Sequence, residues 1–313
     1  MSAPNSASAV GAVCAEETGT APGYPSNVAT ALGASPVRFS GGGDHRMDRP
    51  GKAESPHCAV PVVLLHGQPG AGSDWDAVVQ ALPARLRSLA LDRPGYRTSP
   101  HPPGSFGDNA TWLLRELDWA GIHNAVLVGH SYGGGVALTA AALAPGRVAG
   151  LVLVASVGPG CLDRWDPLLA APFAGPVCAV AAWWLTPWLA RRRLAHIARI
   201  RDRPLEPDEH VSWETWGNAR HHHGAMWRTF LTEQRGLVRG LDHLNTLLPD
   251  ITVPTVVIAD PADKMIPLDT AYSLRDQVPA ARLVLVGEGG HHLPRRIPTI
   301  IAAEIVRLVD SLG

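Results

Sequence analysis

Apolar positions in this chain come in short runs separated by polar, Gly- and Pro-containing turns. The runs at 60–65, 87–91, 124–128, 150–155, 253–259 and 282–286 are dominated by Val, Leu, Ile and Ala, with little polar alternation. That is the pattern of strands buried on both faces. Helical spacing falls between them, at about 73–82, 108–120, 136–143, 268–277 and 299–312, with Ser73 and Asp108 as the expected caps. Strands alternating with helices predict an α/β fold, a mostly parallel central sheet flanked by helices. Residues 37–39 could form an edge strand, but strand signals there are too sparse to assign one.

The rhythm breaks twice. Residues 1–35 are rich in Ala, Ser, Gly, Pro and Thr and carry no sustained apolar period, which predicts a disordered or loosely attached tail. Residues 158–249 contain no strand-like run and seven of the ten tryptophans, from Trp165 to Trp227. This segment is expected to be a helical cap inserted into a core made of 36–157 and 250–313.

Composition narrows the classes. With 313 residues, 46% of them hydrophobic, the chain can bury a full core as one large domain with an insertion. A formal net charge of −1 gives no reason to expect a nucleic-acid partner. Cys14, Cys58, Cys161 and Cys178 show no paired spacing. A disulfide framework or zinc site is therefore not expected, and a reducing cytoplasm is the default. The start lacks the basic and apolar regions of a signal peptide. Two lysines against many arginines, with abundant Ala, Gly and Pro, suggest a high-GC bacterial genome.

Candidate chemistry centres on Gly129-His-Ser-Tyr-Gly-Gly134, where Ser131 sits between glycines in G-x-S-x-G spacing. An apolar strand before it and an Ala-rich helix after it predict a sharp strand-to-helix turn that lifts the serine hydroxyl to the strand's carboxyl end. A serine hydroxyl is a poor nucleophile near neutrality and needs an imidazole to take its proton. The imidazole in turn needs a carboxylate to fix its tautomer.

Four motifs then fall in one order: HGQPG at 66–70, DRPGY at 92–96, GHSYGG at 129–134, and DPADKMIP at 260–267 with GGHH at 289–292. Over 59–313 the chain resembles the α/β-hydrolase superfamily, specifically capped serine hydrolases with a His-Gly-x-Pro-Gly oxyanion loop. The resemblance implies Ser131 as nucleophile, Asp263 as acid and His291 as base, with the backbone N–H groups of Gln68 and Tyr132 as oxyanion donors. It implies no cofactor and no metal. Asp260 stands where the family often has Gly and competes with Asp263 for the acid's role. His292 likewise competes with His291. His66 and His130 beside these loops are expected to bond loop backbone. Arg97, where a glycine is common, carries no catalytic expectation.

The expected activity is hydrolysis of an ester or related acyl compound with an apolar portion, through an acyl-enzyme. A carbon–carbon bond hydrolase or a cofactor-free haloperoxidase would use the same triad, and a non-catalytic receptor could use the same capped pocket. Epoxide hydrolases and haloalkane dehalogenases place Asp at the position of Ser131 and are disfavoured. Consecutive His221, His222 and His223 cannot converge on one metal from a regular helix. The uncharged stretch 167–190, followed by Arg191, Arg192 and Arg193, is long enough for a membrane span. A single crossing there would separate Ser131 from Asp263 and His291, so the expectation is short cap helices with at most transient membrane contact.

Overall fold

The computed structural model describes residues 38–40 (backbone), 60–97, 99–173, 175–177, 181, 223–287 and 289–313. The tail expected at 1–35, the histidines 221 and 222, and about half of the cap expected at 158–249 lie outside the described residues.

Among the described residues one sheet holds seven strands: β1 (Arg38–Ser40), β2 (Val62–Leu65), β3 (Ser88–Leu91), β4 (Ala125–His130), β5 (Val148–Val154), β6 (Thr255–Ala259) and β7 (Ala281–Leu285). Their spatial order is β1-β3-β2-β4-β5-β6-β7. β1 is antiparallel to β3, and the other six are parallel. Two strands start later than their apolar runs because proline has no N–H to give a ladder. Pro61 contributes only its carbonyl, to Val126 N–H, and β2 opens at Val62. Pro254 contributes its carbonyl to Leu151 N–H, and β6 opens at Thr255.

The helices are α1 (Asp76–Ala81), α2 (Phe106–Trp119), α3 (Tyr132–Leu143), α4 (Asp166–Ala170), α5 (His223–Leu247), α6 (Leu268–Gln277), α7 (Leu293–Arg296) and α8 (Pro298–Asp310). α2 starts ahead of Asp108, since Ser105 is its cap. The Ser105 hydroxyl accepts from Asp108 N–H while the Asp108 carboxylate accepts from Ser105 N–H at 2.9 Å. This is a capping box closed by Asp at the third position. Ser73 caps nothing, because it lies inside a 3-10 turn, Gly72–Trp75, that precedes α1.

Alternating strand residues feed two apolar layers. Val63, Leu65 and Leu127 face α2, α3 and α6, together with Leu237, Leu241 and Leu244 of α5. Val62, Leu64, Val126 and Val128 face Trp75, Val78 and the Ile301, Ile305, Leu308 stripe of α8. The direction in which successive strands are added switches between β2 and β4, the point at whose carboxyl ends open α/β sheets place their ligand crevice. No helix among the described residues is long and apolar enough to cross a membrane.

Candidate active site

Ser131 falls between the end of β4 and the start of α3, with φ 52° and ψ −120°. Such backbone is costly for a residue with a side chain and persists only where its surroundings over-determine it. Here Ser131 N–H donates to Val154 O at 3.0 Å, and Ser131 O accepts from Gly134 N–H and Val157 N–H. Two glycines make the turn possible. A Cβ on Gly129 would lie 2.5 Å from Gly133 O, and one on Gly133 would lie 2.4 Å from Leu65 O.

The loop after β6 carries Asp263 and the loop after β7 carries His291. His291 Nε2 lies 3.2 Å from Ser131 Oγ, and His291 Nδ1 lies 2.8 Å from Asp263 Oδ2. The other Asp263 oxygen accepts from Met265 and Ile266 N–H at 2.7 and 3.1 Å, which fixes the carboxylate's rotamer. Burial pushes the Asp263 carboxyl up, but the His291 hydrogen bond and those backbone donors outweigh it and hold it below its ordinary range.

Asp260 has a different place. Its Oδ2 accepts from Gly289 and Gly290 N–H at 2.6 and 2.7 Å, and its Oδ1 accepts from Ala262 N–H at 2.7 Å. This buried carboxylate staples the loop of Asp263 to the loop of His291. His292 is exposed, its ring 5.7 Å from that of His291.

His66 and His130 bond loop backbone. His130 Nε2 donates to His291 O at 2.8 Å. His66 Nε2 accepts from Arg93 N–H at 3.0 Å, which leaves Nδ1 to carry the proton it gives Gly67 O at 2.8 Å. Burial drives both imidazoles well below their ordinary pKa, aided by Arg93 at His66 and by His291 at His130, so both rings are neutral.

The two expected oxyanion donors sit on opposite sides of the switch in sheet order. Tyr132 is the first residue of α3, where helical N–H groups have no intrahelical partner. Gln68 is in the loop after β2. Its side-chain Nε2 donates to Phe230 O at 3.0 Å and to Gln234 Oε1 at 3.3 Å, both on α5. Gln234 Nε2 donates to Asp166 on α4 at 2.7 Å, so the loop is bonded to α5, which is bonded in turn to α4. The amino-terminal half of α5 accordingly buries polar residues, Thr229, Glu233 and Gln234, where its other half buries leucines. Of the tryptophans expected in the cap, Trp165 is 54% exposed, and the side chains of the other six lie outside the described residues.

A sheet of this order with a strained serine after its fourth strand, next to a His and an Asp on later loops, is the arrangement of an α/β-hydrolase. A family model described as alpha/beta hydrolase fold matches residues 60–294, and the chain belongs to that family. It is a hydrolase. Curated relatives include a 2-hydroxymuconate semialdehyde hydrolase of Pseudomonas sp. strain CF600, 31% identical, with 74% of this chain and 80% of that protein covered. A putative carbamate hydrolase of Stutzerimonas stutzeri is 30% identical, with 74% and 85% covered. Among solved structures, a thermophilic esterase from Thermogutta terrifontis superposes with a TM-score of 0.65 at 21% identity, covering 88% of this chain and 93% of its own. That likeness shows the shared fold.

Proposed function

We propose that this protein is a serine hydrolase that cleaves an ester or related acyl compound with an apolar portion. The observation that carries the reading is the pair of contacts from His291, 3.2 Å to Ser131 Oγ and 2.8 Å to Asp263 Oδ2. In the proposed cycle Ser131 Oγ attacks the substrate carbonyl as His291 Nε2 takes its proton. Asp263 holds the Nδ1–H tautomer and stabilises the imidazolium. The N–H groups of Gln68 and Tyr132 receive the oxyanion, each donor lowering the barrier by roughly 3–4 kcal/mol. His291 returns the proton to the leaving group, and then activates water to release the acyl group from Ser131. Residues 158–249, expected from the sequence to be helical, are proposed as the cap over this site.

A second reading is carbon–carbon bond hydrolysis on the same triad. It is favoured by the 31% identity to the 2-hydroxymuconate semialdehyde hydrolase. Turnover of a p-nitrophenyl ester against cleavage of a vinylogous diketone separates the two.

The test is intact-mass detection of a fluorophosphonate adduct. One adduct is expected on the wild type and none on Ser131→Ala. A folded wild type that takes no adduct refutes the reading.

A further inference from the structure

Among the described residues one fully buried ion pair lies next to the site, and the triad chemistry does not use it. Arg93, on the turn after β3, pairs with Glu233 of α5, and neither side chain has any solvent exposure. The second guanidinium nitrogen reaches Glu233 at 3.2 Å, and Tyr96 Oη donates to the same carboxylate at 2.5 Å. Burial works against the Arg93 cation, but the Glu233 carboxylate outweighs it and raises the guanidinium's pKa further. Two charges taken fully out of water are a weak device for stability, since apolar residues of similar volume often do as well. What the pair does for its neighbours is more specific.

Arg93 is bonded to the loop after β2 at three points. Nε donates to His66 O and Nη2 to Gly67 O, both at 2.8 Å. Its backbone N–H donates to His66 Nε2, which obliges His66 to present Nδ1–H, and that proton also goes to Gly67 O. Two donors therefore converge on one carbonyl, and both are set by Arg93. The carbonyl of Gly67 and the N–H of Gln68 belong to one planar trans peptide and point in opposite directions. Fixing the carbonyl fixes the N–H. The guanidinium also lies 4.8 Å from the ring of Tyr132, whose N–H is the other oxyanion donor.

We propose that Arg93, locked by Glu233, is a positioning residue that aims the Gln68 N–H at the developing oxyanion, so that α5 sets the geometry of the oxyanion hole. The inference rests on the serine-hydrolase reading of Ser131. Glu233 supplies the countercharge and both fork acceptors, so Arg93 cannot rotate off Gly67 O without depriving a buried carboxylate of its countercharge. A guanidinium on that carbonyl also polarises the peptide, which strengthens its N–H as a donor.

The experiment compares saturation kinetics of phosphonylation by a fluorophosphonate in three proteins. One is the wild type, one is Arg93→Lys, and one is the triple variant Arg93→Met, Tyr96→Phe, Glu233→Leu, which removes both charges and the hydroxyl together. In the triple variant the limiting rate is expected to fall ~10–100-fold while the half-saturating concentration stays within about twofold, because the lost interaction acts on the transition state. Arg93→Lys keeps a cation opposite Glu233 but lacks the fork, and its limiting rate is expected to fall at least about fivefold. A folded triple variant or Arg93→Lys with the wild-type limiting rate overturns the inference. So does a loss of rate matched by a proportional rise in half-saturation, which would mean a loosened pocket. If the triple variant does not fold, Arg93→Lys decides alone. A wild type that forms no adduct overturns the Ser131 reading and this inference with it, whereas equal rates in reactive proteins overturn this inference only.

Discussion

Lowering the pH below the ordinary titration range of histidine should destabilise this protein through two rings that never contact solvent as cations. His66 has no exposure and His130 has 8%, and both are held well below the ordinary value of 6.5. Below 6.5 the unfolded chain binds a proton at each site that the folded chain refuses. Protons bound in the unfolded state exceed those in the native state, so stability is full above 6.5 and is lost as the pH falls. Each ring costs about 1.4 kcal/mol per pH unit once the unfolded form is protonated. Going from pH about 7.5 to about 5.5, each site contributes on the order of 1 kcal/mol and the two together roughly 2–3 kcal/mol of lost stability. At about 2–4 °C per kcal/mol, the melting temperature should fall by roughly 5–10 °C. Glu116, Asp166 and Glu233 are pushed up by burial and act with the opposite sign, while His292, pushed down to about 4 by burial, acts with the same sign, so the wild-type slope alone is a mixture. His130→Gln isolates one ring, since its amide can still donate to His291 O and does not titrate. Calorimetric or fluorescence melts of both proteins across this range should converge as the pH falls, by on the order of 1 kcal/mol. Melting temperatures that fall in parallel would refute the assignment.

Two further outcomes follow from the site. Asp263→Asn should lower the limiting rate by about 10⁴-fold with little change in melting temperature, as expected for a lost tautomer anchor. Asp260→Asn should do the reverse, costing ~1–3 kcal/mol of stability by turning an amide donor toward backbone N–H groups, with a far smaller loss of rate. Kinetics and melts on the same two preparations check both. Gly133→Ala would push a methyl to 2.4 Å from Leu65 O and 2.6 Å from His66 O, both backbone atoms with nowhere to move. It should cost at least ~3 kcal/mol or yield no folded protein, read by soluble yield and melting temperature.

The parallel strands were legible because burial on both faces leaves continuous apolar runs, as in Leu127 and Val128, whose ends mark the loops where chemistry can sit. Strand starts were misjudged where Pro61 and Pro254 extend an apolar run but cannot pair. The start of α2 was misjudged because Asp108 is the reciprocal member of a capping box and not its cap. The oxyanion loop's partners were invisible for a different reason. Arg93 and Glu233 are 140 positions apart, and a glutamate on a helix reads as a solvated face. A signal was present: Glu233 stands in register with Leu237, Leu241, Leu244 and Leu248, a charged residue on an otherwise apolar stripe. Asp260 gave a signal too, as a carboxylate where the resembling family often has Gly, but only the structure shows it accepting three backbone N–H groups.

The contacts of the candidate triad are dispersed along the chain, 160 positions separating Ser131 from His291 and 28 separating His291 from Asp263. β6 must pair with β5, across the whole intervening segment, and β7 with β6, before the imidazole meets the hydroxyl. Closing so wide a loop is an entropic toll taken late in folding, when most of the local structure is already formed. On the proposed triad, a nascent chain, or one clipped before β6, carries its serine elbow without the histidine proposed to activate it. Latency is then written into the order of the strands, and the competence proposed for this site arrives with residues 255–313.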